Sequence, residues 1–411
     1  MDHRRHRIRR RGRRTAALTA LAITLGVSPV SADAIPDAIP DADMPRQQTR
    51  QQAPSAPLLS APSLQIRTVV SGLDKPWDIA FTSGGRMLLT ERDRGRISVR
   101  GADGVRRTLV SRVPNLWVSG ETGLLGIAVD PYFPRNRRFY TCHGYTGSGG
   151  GHDVRVVAWQ TNDAVSSAQI VDTLVSGIQV STGRHGGCRL RIARKGALYI
   201  GTGDAAITGS ARNKTSLAGK VLRVNRHTGD PVPTNPFINY ANANARKLWT
   251  YGHRNVQGLA QRSDGVMWSV EHGTYRDDEV NQLTAGGDYG WEAGPGYDES
   301  PPMTNHALPG PQVSAKWSSG NPTVAPSGAT WLAGSRWGSW NGALAVAALK
   351  DQSVRIMFFS GSGQLQGVER PNAFTAYGRL RAAQLGPNDV LYLTTDNGGG
   401  NDRVLEVTAS P

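Results

Sequence analysis

Six times between residues 79 and 394 the chain repeats one short unit: an apolar strand, a turn built on Gly or an Asn/Asp pair, and a second apolar strand ending in Thr, Glu or a small residue. The copies are Ile79–Phe81 with Met87–Glu91, Ile127–Asp130 with Arg138–Thr141, and Arg189–Ile192 with Leu198–Gly201. They continue as Gly258–Ala260 with Val266–Val270, Gly328–Trp331 with Ala343–Val346, and Leu380–Ala383 with Val390–Thr394. A strand pair recurring at intervals of roughly 50–70 residues, with room for further short strands and almost no helical periodicity, is the pattern of small sheets set around an axis. Stacking such sheets radially buries both faces of each and leaves only short edges. The expected fold is therefore all-β, a six-bladed β-propeller of four-stranded antiparallel sheets over residues 64–411. Seven or eight blades would need further copies, and a β-sandwich is the plain alternative. Leu64–Val70 and Arg403–Val407 are apolar-rich segments at the two ends of this region, able to pair and close the ring.

The net charge of +15 and pI near 10.2 suggest a nucleic-acid binder until the charge is located. Eight arginines between Arg4 and Arg14 precede the apolar stretch Ala16–Val27, and Val30-Ser31-Ala32 offers a small-x-small cleavage pattern. Residues 1–32 thus read as an export signal. The arginine run before Thr15 is loosely twin-arginine-like, and the two export routes stay open. Cleavage after Ala32 removes those eight arginines and Asp2, so the net charge falls from +15 to +8, and a nucleic-acid partner loses its main support. Residues 33–63, rich in Pro, Gln and Ser, read as a disordered linker. No apolar run reaches the roughly 20 residues of a membrane span. The mature protein is expected to be secreted or extracytoplasmic.

In a propeller the loops at one mouth of the central channel carry the chemistry. His185 stands at the entrance to the third repeat and Asp204 follows the second strand of that repeat. Antiparallel pairing brings the two together, and a carboxylate on imidazole fixes its tautomer and raises its basicity. A purely structural His–Asp hydrogen bond is the alternative. Arg254 and Asn255 precede the inner strand of the fourth repeat, Lys350 follows the run Ala343–Leu349, and Arg379 and Arg381 alternate about Leu380. Cations converging on a channel repel one another unless a polyanion lies between them. The acidic stretch Glu271–Asn281, with Tyr289 beyond it, supplies the hard oxygen donors that calcium prefers.

The chain resembles the soluble quinoprotein glucose/sorbosone dehydrogenase family, which includes aldose sugar dehydrogenases that use pyrroloquinoline quinone (PQQ). The matching motifs run in order along the propeller region: Asp74–Phe81, Gly123–Gly126, His185 through Leu190, Gly201–Asp204, Gly252–Gly258 and Glu271–Gly273 through Glu279. Tyr289-Gly290-Trp291, Ala325–Gly328 and Arg379-Leu380-Arg381 complete the set. The resemblance implies PQQ and Ca²⁺ as cofactors, a sugar substrate, and an electron acceptor whose identity the motifs leave open. It places PQQ on Arg254, Asn255, Lys350, Arg379 and Arg381, with Glu121 beside it. His185 matches the general base, Asp204 its orienting carboxylate, and Arg254 the group facing negative charge on the quinone oxygen. Calcium matches the backbone carbonyls of Gly273 and Thr274, and a second ion Glu279 with the carbonyl of Tyr289. Three positions depart from the glucose-oxidising members: Glu121 stands for glutamine, Arg184 for aspartate and Thr274 for a frequent proline.

Cys142 ends a strand of the second repeat and Cys188 begins one of the third, so adjacent blades can join them in a disulfide; free buried thiols are the alternative. A calcium-dependent lactonase or esterase propeller and a catalytically silent binding propeller are the rival functional readings. The first would need a carboxylate-rich channel, whereas the channel here is expected to be rich in cations.

Overall fold

The computed structural model describes residues 60–411. The expected export signal lies outside the described residues, as does the expected linker except for residues 60–63. Six separate four-stranded antiparallel sheets follow one another, five of them meanders in chain order and the sixth completed by the first strand of the chain. Their first strands are Pro76–Phe81, Leu124–Val129, Arg189–Ile192, Val256–Gln261, Pro326–Trp331 and Leu380–Leu385, which we call the inner strands of blades 1 to 6. Each inner strand neighbours that of the next blade, and the sixth returns to the first, which closes the ring around a central channel. The architecture is the six-bladed propeller that the repeats predict.

The sixth blade is closed by the beginning of the chain. Ser63–Leu73 forms its outermost strand, antiparallel to Asp402–Ser410, with Leu64 opposite Ala409, Ile66 opposite Val407 and Arg67 opposite Glu406. Pairing starts at Ser63, one residue before the expected boundary.

The core lies between blades. Period-two side chains of one sheet face those of the next: Val154, Val156 and Ala158 of blade 2 pack with Leu198, Ile200, Leu222 and Leu248 of blade 3. Ala345, Ala347, Val354 and Ile356 of blade 5 likewise meet Leu391, Leu393 and Leu405 of blade 6. No helix among the described residues is long and apolar enough to cross a membrane.

Cys142, on the second strand of blade 2, is bonded to Cys188 at the entrance to the inner strand of blade 3. Both are fully buried, and the bond ties the segment carrying His185 to the neighbouring sheet. It closes a loop with a sequence separation of 46 residues. The chain-entropy model assigns such a closure about 4 kcal/mol. Urea unfolding of the Cys142→Ser/Cys188→Ser double variant should show a loss of that order; a loss below about 1 kcal/mol would mean that the bond constrains little.

Candidate active site

In each blade the chain enters the inner strand from one mouth of the channel, and the antiparallel second strand returns to that same mouth. His185, before the inner strand of blade 3, and Asp204, just past the second strand Ala197–Gly201, are thereby brought together. Nδ1 of His185 lies 2.8 Å from Oδ1 of Asp204, and both residues are almost wholly buried. Oδ2 of Asp204 accepts from Trp291 Nε1 at 2.6 Å and from the Tyr297 hydroxyl at 2.7 Å, while the Ala206 amide donates to Oδ1 at 2.8 Å. Burial alone would raise this carboxyl, but the hydrogen bonds from His185, Tyr297 and Trp291 outweigh it and hold Asp204 below the ordinary aspartate value. An ionised carboxylate only accepts, so the proton of neutral His185 is assigned to Nδ1. Nε2 keeps its lone pair and has no hydrogen-bond partner among the described residues.

The backbone around this pair is tightly set. His185 has a φ of 54°, in the left-handed region that favours glycine. The chain passes so close to Gly203 that a Cβ there would lie 1.8 Å from the His185 carbonyl oxygen. Gly203 is thus the one residue type that lets the strand end approach the histidine segment.

The expected cofactor cations fall into two groups. Arg254, Asn255 and Arg381 are buried at the mouth, and Glu121 joins them. Asn255 Nδ2 donates to Glu121 Oε2 at 2.9 Å, and the same oxygen accepts the His185 amide at 3.2 Å. Gln257 links Arg381, which donates to its Oε1 at 2.9 Å, to Asn255 Oδ1 at 3.3 Å. Burial raises the Glu121 carboxyl, but nearby His272 and His185, the Asn255 amide and Arg381 more than offset this and keep it low.

Arg379 and Lys350, by contrast, are exposed at the rim. Strict alternation would put Arg379 and Arg381 in one environment, but the register shifts between Leu380 and Ala383, and only Arg381 is buried. They still share a partner: Arg381 Nε donates to Asp396 Oδ2 at 2.9 Å, and Arg379 Nε to the Asp396 carbonyl at 3.2 Å. Lys350 follows the second strand of blade 5 and reaches Thr323 Oγ1 at 3.0 Å, with no contact to the other cations of the set.

The protein itself supplies the counter-charge that the converging cations call for. Glu299 pairs with Arg254 through one oxygen and with Arg184 at 2.6 Å through the other. Burial raises Glu299, and the bonds from Arg184 and Arg254 overcome it. Arg184, the residue that departs from the glucose-oxidising pattern, is therefore part of an Arg184–Glu299–Arg254 bridge over the histidine.

Tyr297, Glu299 and Trp291 come from residues 283–316, between the third and fourth strands of blade 4. Trp291 lies within one of the sequence motifs. Nothing in the sequence pattern marks Tyr297 and Glu299, because no strand period positions a residue in so long an irregular connection. His272 carries no distinguishing signal either, although it stands between Glu271 and Gly273 of the acidic motif. Its Nε2 is buried without a partner, and burial, opposed by Asp278 and Glu121, pushes it down to about 4.

The expected calcium donors are dispersed. Gly273 and Thr274 lie in a turn after the second strand of blade 4, where the Gly273 amide donates to Asp278 Oδ1 at 2.8 Å and the Thr274 amide to the Arg276 carbonyl at 3.1 Å. Asp278 is committed to backbone, since its Oδ2 accepts the amides of Val324, at 2.6 Å, and Ala325, at 2.8 Å. Glu279 is buried directly opposite Glu271 across two strands. Burial and the Glu271 charge push its carboxyl up to about 8. Tyr289 stacks on His253 with ring centroids 4.5 Å apart. Among the described residues no three or more His, Cys, Asp or Glu side chains converge as a metal site.

A propeller with a buried His–Asp pair and paired cations at one mouth now has relatives to set beside it. The chain belongs to the Glucose / Sorbosone dehydrogenase family, whose model matches residues 73–405. It is 30% identical over 356 residues to aldose sugar dehydrogenase YliI of Escherichia coli (strain K12), covering 84% of this chain and 94% of that one. The apo-form structure of the soluble aldose sugar dehydrogenase from Escherichia coli superposes with a TM-score of 0.74 at 27% identity, covering 84% and 99% of the two chains. The PQQ-bound form of aldose sugar dehydrogenase from Streptomyces coelicolor gives 0.69 at 29% identity, covering 85% and 98%.

The depressed Asp204 carboxyl contributes stability that is present above the ordinary aspartate range and is lost as pH falls through the lowered folded value. Tyr297→Phe deletes one donor to Oδ2, so the Asp204 pKa should rise toward the ordinary value and the stability lost on acidification should be smaller. A ¹³C carboxyl titration reads this directly; an unchanged Asp204 would show that the tyrosine does not support the dyad.

Proposed function

We propose that this chain is a PQQ- and calcium-dependent aldose dehydrogenase that works outside the cytoplasm and converts the anomeric carbon of a sugar to the lactone. The observation that carries the reading is the buried His185–Asp204 pair, with Nε2 of His185 free of hydrogen-bond partners among the described residues. His185 takes the proton of the anomeric hydroxyl, and Asp204, held by Trp291 and Tyr297, stabilises the resulting imidazolium. Bound PQQ would supply the two-electron acceptor for the hydride of the anomeric carbon, so that loss of proton and hydride together would leave the lactone.

The residues at the mouth fit such a cofactor. Nε of Arg254 is a buried donor without an acceptor and Nε2 of His272 a buried nitrogen without a partner, which carboxylate and quinone oxygens would satisfy, His272 as the tautomer protonated at Nε2. Arg254 offers its positive charge where an oxygen becomes anionic. Arg381 and Asn255 make the floor of the site, with Arg379 and Lys350 as rim cations for the outer carboxylates. The relative bound to PQQ supports the assignment at 29% identity.

For calcium the support is confined to the surroundings of Glu279, since the expected donors do not converge among the described residues. Glu279 faces Glu271 across the sheet, and Asn281 Oδ1 beside them is a buried acceptor without a donor. A dication held by Glu279 and the Tyr289 carbonyl would displace the proton that burial and the Glu271 charge keep on Glu279, and one held by the carbonyls of Gly273 and Thr274 would polarise the cofactor. Export through the arginine-rich signal accords with the Cys142–Cys188 disulfide, since such bonds persist in oxidising compartments.

The test of the reading is reconstitution of the purified protein with PQQ and CaCl₂, followed by aldose-dependent reduction of an artificial electron acceptor. PQQ binding without any such turnover would overturn it. His185→Ala should bind PQQ as the wild type does yet turn over roughly 10²-fold more slowly; full activity in this variant would remove the base assignment. Added Ca²⁺ should raise the melting temperature of the wild type more than that of Glu279→Gln; an equal rise in the two would remove Glu279 from the calcium donors. N-terminal sequencing of the exported chain should begin at Asp33, and an intact Arg4–Arg14 run on that product would contradict cleavage.

A further inference from the structure

Arg189 belongs to the histidine motif, but nothing in the proposed chemistry uses it. It points to a second feature of the channel, at the end away from His185. There the six inner strands enclose a cavity of about 160 Å³ lined by Asp78, Arg189, Arg191 and Gln384 among backbone and apolar side chains such as Ile127 and Leu259. Arg189 and Arg191 are two residues apart on one strand, so both project from the same face.

The polar groups around this cavity do not balance. Arg189 stacks on Trp77, donates from Nε to the Gln257 carbonyl at 2.8 Å, and pairs through Nη1 with Asp78 Oδ1 at 2.5 Å. Its Nη2 is buried with no acceptor, although the residue is only 4% exposed. Asp78 is otherwise engaged by the amides of Ile79 and Ile127, at 2.9 and 3.2 Å. Arg191 has a neutral partner only, Gln384 Oε1 at 3.2 Å. Of the charges around it, Asp78, already paired with Arg189, acts more strongly than the cation Arg194. The Asp78–Arg189 pair contributes no net charge, so Arg191 leaves the cavity one positive charge in excess. Burial pulls both guanidiniums below the ordinary arginine value, and the charge of Asp78 opposes it only in part.

We propose that this axial cavity is a binding site for a small monovalent anion of halide or formate size, held by the free Nη2 of Arg189 and by Arg191. One such ion supplies the missing acceptor, cancels the excess charge and fits the volume with water to spare. A divalent anion would reverse the imbalance. The site is separate from the His185 mouth and does not depend on the chemistry proposed there.

Two measurements test it on the full chain without cofactor. Crystals soaked in bromide should show an anomalous peak in the channel between Arg189 and Arg191. In solution, the melting temperature should rise by about 1–3 °C as bromide or chloride replaces a bulky organic sulfonate at constant ionic strength. Arg191→Gln should lose most of that rise; if this variant does not fold, Gln384→Ala, which frees Arg191 from its amide, should enlarge it. A channel holding only water, an anion-independent melting temperature, or a rise unchanged in the Arg191 variant would each overturn the proposal. A bromide peak without the solution effect would mean binding at crystal concentration only, and would overturn it equally.

Discussion

Burying a guanidinium beside a channel costs several kcal/mol unless a carboxylate accompanies it, and this constraint orders the whole interior of the protein. Arg381 lies on Asp396, Arg254 on Glu299 and Arg189 on Asp78. Each pair joins different strands or blades, so the charges that line the channel also bind its staves together. Arg189 and Arg381 are further joined through Gln257, whose carbonyl serves one and whose side chain serves the other. The site can therefore present positive groups at its mouth without depending on a ligand to neutralise them.

The propeller geometry converts this pairing into a site. Inner strands begin, and second strands end, at one mouth, so six blades deliver residues distant in sequence to a single rim. His185 and Asp204 come from one blade, Arg254 and Asn255 from the next, and Arg381 from the last. Blade 4 adds the long connection that brings Trp291 and Tyr297 onto Asp204 and Glu299 onto Arg254. The Cys142–Cys188 bond anchors the segment in which His185 holds its positive φ. Rigid sheets, rather than the loops alone, thus fix the dyad.

Much of this architecture is legible in the order of the amino acids. Period-two apolar strands with turn residues between them mark all six blades, and the closure of Leu64–Val70 on the C-terminal strand follows from the ring. The His185–Asp204 pairing is legible because both residues flank one hairpin, where antiparallel register dictates proximity. What escapes is whatever depends on irregular backbone. Glu299 and Tyr297 reside in a connection without periodicity, and a register shift after Leu380 separates Arg379 from Arg381 in burial. The expectation that clustered cations require an external polyanion also overlooks Glu299 and Asp396, since a carboxylate distant in sequence leaves no mark beside the arginine it will meet.

On the proposed function, the anomeric carbon of an aldose gives up hydride at this mouth while His185 takes the hydroxyl proton. This is tested most directly by single-turnover reduction of the PQQ-loaded protein with an aldose carrying deuterium or hydrogen at C1. Deuterium at C1 should slow the reduction severalfold, and deuterium at C2 should not. Equal rates for the two C1 isotopologues, with reduction slow enough for the chemical step to be observed, would contradict it.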